Sequence, residues 1–330
     1  MRTPATHPRR ESEAAFETDV GKNLLHFFLV PGLVPDARET FLRQRHLFLA
    51  YGSVTSVTYP NHDFNLSAIR DALRSRILAS HRAGQKPVLV GVSVGGGIIL
   101  DLLRHCREQG DPLPLGGLIL VSPFTCTSDL APLLRRLVDP ILGTKPEDAL
   151  EALEKGRSFF RMLASRSLTT SEAVGWRKSL SLLTPAGVRA WQERAILRRI
   201  DSTLTSISPE GALARVCSLR ELKGISDQRR STICEAPTLI LWGSKERQTL
   251  SMEGPGTGIL CRPDLAYRLF PRLQIQWVYD AQGEEVPHGS LLKHAHAFNP
   301  FLKEYLRRLE TVTRASVKTD QLAAARITGT

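Results

Sequence analysis

The stretch that most restricts the fold of this 330-residue chain runs Val88-Leu-Val-Gly-Val-Ser-Val-Gly-Gly-Gly-Ile-Ile-Leu100. Val88–Val92 is rich in β-branched residues and follows Pro87, so it reads as a buried strand. The apolar spacing from Ile98 to Cys106 reads as a helix packed on a sheet. Ser93 therefore stands on the turn between strand and helix. Gly91 and Gly95 flank it two residues away on either side, where a Cβ would crowd a sharply reversing backbone. The spacing Gly91-x-Ser93-x-Gly95 is that of a nucleophile elbow, which aims a serine hydroxyl out of the C-terminal edge of a sheet. A dinucleotide-binding loop needs glycine at position 93, and a P-loop needs Gly-Lys-Ser/Thr after the glycines; neither condition is met. The bland alternative is a glycine turn that serves packing alone, with an idle serine.

The elbow sits in an alternation of strands and helices. Leu24–Val30 reads as a strand ending at the turn Pro31-Gly32, and Val54–Tyr59 as a second. After the Val88 strand come Leu118–Val121, closed by Ser122-Pro123, then Thr238–Trp242 and Leu273–Tyr279. Between them the spacing predicts a helix over Pro35–Ala50, with Phe41, Leu42, His46 and Leu49 facing inward. A second spans Leu66–Ala83 with Ile69, Leu73 and Ile77 inside, and a last one Ser290–Leu309. Strands apolar throughout and separated by helices imply an α/β fold: a mostly parallel sheet with helices on both faces.

From about 125 to 235 the strand signals stop. Leu133, Leu134 and Leu137, then Phe159, Phe160 and Leu163, recur at helical spacing, which predicts a helical insert after the Leu118–Val121 strand. The expected organisation is a flexible leader over 1–22, a core made of 23–124 and 236–310, the insert over 125–235, and a loose tail over 311–330.

Lys and Arg number 44 against 33 Asp and Glu, a formal charge of +11. The excess is spread thinly along the chain and lacks interleaved aromatics, so it reads as a solvated basic surface rather than a nucleic-acid site. No apolar run has the length of a membrane span, which argues against stable membrane insertion, and Met1–Lys22 lacks the apolar region of a secretory signal. Cys106, Cys126, Cys217, Cys234 and Cys261 are odd in number, scattered and without C-x-x-C, the pattern of a reducing, cytoplasmic location rather than a disulfide framework or a zinc site. His294 and His296 form an H-x-H inside a predicted helix, where i,i+2 side chains point apart, so no metal site is expected there. His62 and Asp63 read as turn and helix-entry residues.

An elbow serine needs a base, an acid to orient that base, and donors for a developing oxyanion. After the Trp242 strand the chain reads Gly243-Ser-Lys-Glu246-Arg, and after the Tyr279 strand Val286-Pro-His288-Gly-Ser. A carboxylate and a histidine thus follow successive strands in the order serine, acid, histidine. Asp129, shortly after the Leu118–Val121 strand, is a second candidate acid. Pro31-Gly32-Leu33 forms a tight turn whose N–H groups can face Ser93.

On these residues the chain resembles the α/β-hydrolase superfamily, in its capped serine-hydrolase, esterase- and thioesterase-like branch, from about Leu24 to Arg308. The resemblance implies Ser93 as nucleophile, His288 as base and Glu246 as orienting acid, with Asp129 as the alternative. It implies the backbone N–H groups of Leu33 and Val94 as the oxyanion hole, and no cofactor or metal. The family usually has His-Gly where this chain has Pro31-Gly32, and Asp where it has Glu246. It often adds an N-terminal β-hairpin, which no signal before Leu24 announces. A serine at position 93 excludes the relatives that open halides and epoxides through an aspartate.

The implied activity is hydrolysis of a small-molecule carboxylic ester or thioester through an acyl-enzyme. The alternatives are C–C or amide hydrolysis by the same residues, or a binding protein that keeps the fold without turnover. In the insert, Phe159, Phe160, Trp176 and Trp191 offer an apolar inner face for an acyl group, and its arginines a surface for an acidic acyl carrier protein.

Overall fold

Seven strands form one sheet: β1 (Ala15–Asp19), β2 (Leu25–Val30), β3 (Gly52–Thr58), β4 (Lys86–Val92), β5 (Gly117–Val121), β6 (Thr238–Gly243) and β7 (Leu273–Val278). They lie in the order β1-β3-β2-β4-β5-β6-β7, with β1 antiparallel to β3 and every other neighbouring pair parallel. The computed structural model describes residues 13–143, 205–225, 232–281 and 285–328, with a few isolated positions besides. The α-helices that lie wholly within the described residues are α1 (Ala37–Thr40), α2 (Arg45–Leu49), α3 (Leu66–Arg82), α4 (Val94–Glu108), α5 (Pro132–Gly143), α6 (Pro209–Ser218), α7 (Thr257–Leu260), α8 (Pro263–Leu269) and α9 (Ala295–Thr328).

Successive strand residues enter opposite faces of the sheet, and both faces are covered. Phe28, Val30, Leu89, Leu120 and Trp242 join one apolar cluster, which extends into α3 and α4 through Ile69, Leu73, Ile98 and Leu102. Phe27, Leu29, Val90, Val121 and Leu241 join the other, closed by Phe41 and Phe48 and by Phe298, Leu302 and Leu306 of α9. Burying one such side chain contributes about 1.5–3 kcal/mol, so unbroken apolar runs in β2, β4, β5 and β6 stabilise both layers at once.

The chain turns outward in one direction from β2 to β3 and in the other from β4 to β5. The reversal leaves a crevice beyond the carboxyl ends of β2 and β4, where α/β sheets hold their ligands. Val30 pairs with Gly91 in register, so the Pro31 turn and Ser93 leave the sheet side by side.

Several expectations are corrected. The leader assigned to 1–22 contains β1, which pairs Ala15 with Thr58 and Asp19 with Val54. The predicted helix over Pro35–Ala50 breaks into α1 and α2. Phe41 faces inward as expected, but His46 is exposed, and the buried partners are Gln44 and Phe48. The last helix starts at Ala295 rather than Ser290 and runs to Thr328, through the segment expected as a loose tail. Within the insert, α5 and α6 are helical and the described residues contain no strand. Phe159, Phe160, Leu163, Trp176 and Trp191 lie outside the described residues, as do most of the insert's arginines. Among the described residues no helix is long and apolar enough to cross a membrane.

Candidate active site

Ser93 sits between β4 and α4 with φ 51° and ψ −120°, a left-handed backbone conformation that L residues rarely adopt. The surroundings hold it there. Its N–H donates to Val121 O (2.9 Å), and its carbonyl accepts from Gly96 N (2.9 Å) and Phe124 N (3.0 Å). The flanking glycines answer to close backbone approach. A Cβ on Gly95 would lie 2.3 Å from both Pro31 O and Val30 O, and one on Gly91 would lie 2.8 Å from the Gly96 backbone. The elbow therefore packs directly against the turn that follows β2.

Ser93 Oγ lies 2.7 Å from Nε2 of His288, and His288 Nδ1 is hydrogen-bonded to Oε1 of Glu246. Glu246 is fully buried, and the His288 side chain keeps 15% of its surface exposed. The other carboxylate oxygen of Glu246 accepts from Ser122 Oγ (2.8 Å) and Gly243 N (3.2 Å). A buried carboxylate is tolerated when its lone pairs are satisfied in this way. The two loops are stitched together: Lys245 N donates to Val286 O (3.0 Å) and Val286 N to Ser244 Oγ (2.9 Å). The extra methylene of Glu246, relative to aspartate, is taken up by the turn that brings its Oε2 back to Gly243 N.

Asp129 is also fully buried but is held elsewhere. Its Oδ2 accepts from Thr125 N (3.2 Å) and Thr125 Oγ1 (2.5 Å), and its Oδ1 from Gly256 N (2.9 Å) and Thr257 N (3.0 Å). Those bonds tie the segment after β5 to the start of α7.

Gly32 lies close to the elbow, since a Cβ there would sit 3.5 Å from Ser93 Cβ. Leu33 follows it, and Val94 opens α4, where first-turn N–H groups have no carbonyl partner within the helix. His62 and Asp63 are exposed in the loop before α3. His294 Nδ1 lies 2.8 Å from Ser290 Oγ, and His296 Nε2 lies 2.5 Å from Asp280 Oδ2. Among the described residues no cluster of His, Cys, Asp or Glu is arranged to hold a metal ion.

Ser122 is a residue that sequence reasoning passed over except as the end of a strand. Fully buried at φ 48°, it donates to Glu246 and accepts from Gly289 N (3.0 Å), next to His288. One hydroxyl thus links the acid to the histidine loop. Its place directly after β5, on the same sheet edge as Ser93, is the one signal of this in the sequence.

The sequence profile described as the alpha/beta hydrolase family matches residues 27–301. Among solved structures, a thermophilic esterase from Thermogutta terrifontis is 20% identical, with a TM-score of 0.53 over 90% of this chain and 94% of that one. An esterase from a Rhodococcus species is 16% identical, with a TM-score of 0.59 over 90% and 95%. An esterase from Exiguobacterium antarcticum is also 16% identical, with a TM-score of 0.58 over 89% and 95%. At these identities the likeness speaks for the fold. No curated protein matches the sequence.

Proposed function

The chain belongs to the alpha/beta hydrolase family, and on that premise we propose that it is a serine hydrolase cleaving a small-molecule carboxylic ester or thioester through an acyl-enzyme. The observation that carries this reading is the hydrogen-bonded series Ser93–His288–Glu246 at the carboxyl edge of the sheet. His288 Nε2 takes the Ser93 proton as Oγ attacks the substrate carbonyl. The carbonyl π electrons move onto oxygen, where the N–H groups of Leu33 and Val94 stabilise the charge; one such donor is worth about 10²–10³ in kcat. Collapse of the tetrahedral intermediate breaks the bond to the alcohol or thiol, which leaves with the proton held by His288. Water, deprotonated by His288, then attacks the acyl-serine; collapse of this second intermediate breaks the bond between the acyl carbon and Ser93 Oγ, which takes the proton back from His288 as the acid is released. Glu246 keeps the proton on Nδ1 and balances the imidazolium, while Ser122 and Gly243 hold Glu246. Every proton in this sequence is carried by His288.

The test is turnover on p-nitrophenyl esters and acyl thioesters of graded chain length, with Ser93→Ala as the control. The proposal expects hydrolysis by the wild type and none above background by the variant. Turnover confined to amides or C–C bonds, or unchanged in Ser93→Ala, contradicts it.

A further inference from the structure

Arg215 is a fully buried arginine whose hydrogen bonds in the structure all go to loops of the sheet edge. It projects from α6, in the insert. Burying a guanidinium strips it of water, so its position demands compensating partners. Nη1 donates to Leu33 O (3.2 Å), and Nη2 donates to Pro60 O (3.1 Å) and Tyr59 O (3.4 Å). The guanidinium also lies 5.7 Å from the centre of the Tyr59 ring. Burial raises the carboxyl of Asp36 above the ordinary carboxylate range, and the Arg215 charge opposes that rise only in part.

The helix carrying Arg215 is docked on the same loops. Ser208 caps α6 by accepting from Gly211 N (3.0 Å), and Ser208 N donates to Asn61 O (3.0 Å). A Cβ on Gly211 would lie 1.9 Å from Asn61 O, so glycine is what allows α6 to sit this close. The turn after β2 has a second tether, because the Tyr59 hydroxyl donates to Pro31 O (2.9 Å).

These tethers bracket one peptide unit. Tyr59 fixes the carbonyl of Pro31, and Arg215 fixes the carbonyl of Leu33. Between them lies the planar Gly32–Leu33 peptide, which carries the Leu33 N–H. Glycine at position 32 would otherwise let that unit rotate freely. We infer that Arg215 is a positioning residue: from the insert, it locks the Gly32–Leu33 peptide so that the Leu33 N–H stays aimed at the oxyanion formed on Ser93. The inference rests on the serine-hydrolase reading and adds to it that docking of the insert and readiness of the oxyanion site are coupled.

Arg215→Lys keeps the charge but cannot span Leu33 O and Pro60 O with a planar fork. A misplacement of about 1 Å at a reacting group costs on the order of 10²-fold. The variant is therefore expected to lose about 10- to 100-fold in kcat per titrated active site, with KM little changed. Binding of a trifluoromethyl ketone, which forms an oxyanion on Ser93, should weaken in step, and hydrogen exchange at the Gly32, Leu33 and Val34 amides should accelerate. Tyr59→Phe should show the same signature. Wild-type protein gives an arm that needs no variant: under increasing urea, those amides and the amides of α6 should open together. If the wild type neither hydrolyses esters nor is modified at Ser93, the serine-hydrolase reading fails, and the exchange arm still decides whether the tether exists. Independent opening of α6 and the turn in wild type overturns the inference, as does an Arg215→Lys protein with unchanged exchange at the turn, or one whose activity loss is only a smaller fraction of titratable sites.

Discussion

Replacing Glu246 by glutamine tests the division of labour between the two buried carboxylates. In the favoured orientation the amide oxygen takes over the bonds from Ser122 Oγ and Gly243 N, and the NH2 group faces His288 Nδ1. The opposite orientation sets NH2 against the Gly243 N–H, leaving a buried donor unpaired at about 1–3 kcal/mol. With a donor facing Nδ1, the imidazole proton moves to Nε2, which can no longer accept the Ser93 proton. An imidazole trapped in the wrong tautomer costs on the order of 10⁴ in kcat, with the fold intact. In Asp129→Asn the better orientation places NH2 beside Thr125, whose hydroxyl can turn to accept but whose N–H loses its partner. That loses about 1–3 kcal/mol of stability, with kcat per folded molecule nearly unchanged. Urea unfolding and burst-titrated kinetics on the best ester separate the two effects. A crippled, normally stable Asp129→Asn beside a nearly active Glu246→Gln would refute the argument and make Asp129 the acid.

Two further perturbations follow from the packing. Gly95→Ala drives a methyl group to 2.3 Å from two backbone carbonyls that cannot yield, so α4 must shift. The cost should be about 1–3 kcal/mol in urea unfolding, together with an activity loss of at least about 10²-fold; a stable, active variant would contradict the elbow packing. His26 is buried, with its ring nitrogens 2.7 Å from Ser80 Oγ and from Thr55 Oγ1, and burial lowers its pKa from the ordinary 6.5. The unfolded chain then binds more protons than the folded one between that lowered value and 6.5, so the contribution of His26 is complete above 6.5 and is lost as pH falls through this window. The stability difference between wild type and His26→Gln should shrink from pH 7 to pH 5, and a difference independent of pH would exclude the linkage.

What the chain reveals before folding is what local sequence can encode. β2, β4, β5 and β6 are legible because both faces are buried and most positions are apolar. The strand β1, Ala-Phe-Glu-Thr-Asp, is not, because it is an edge strand held by pairing with β3 rather than by its own burial. At the break between α1 and α2, Gln44 is buried and its amide donates to Leu291 O (2.9 Å) and Asn299 Oδ1 (3.1 Å), partners that only the fold brings near. The C-terminal helix outruns its apolar stripe: past Leu309 it runs through the weak helix formers Thr311, Val312 and Thr313, supported by pairs such as Glu310–Arg314 and by the alanines at 323, 324 and 325. At the site, Ser93, Glu246 and His288 are legible because each follows a strand, so sheet topology alone gathers them. Ser122 and Arg215 act through partners more than a hundred residues away, and nothing in their own neighbourhood announces it.

Covalent trapping distinguishes Ser93 as the activated nucleophile proposed above from an idle serine on a packing turn. Folded wild-type protein treated with a fluorophosphonate and mapped by mass spectrometry should carry one phosphonyl adduct, on Ser93. His288→Ala, which removes the base while leaving the sheet intact, should react at least about 10²-fold more slowly. Folded protein that takes no adduct at Ser93, or that reacts there equally fast without His288, contradicts the nucleophile role.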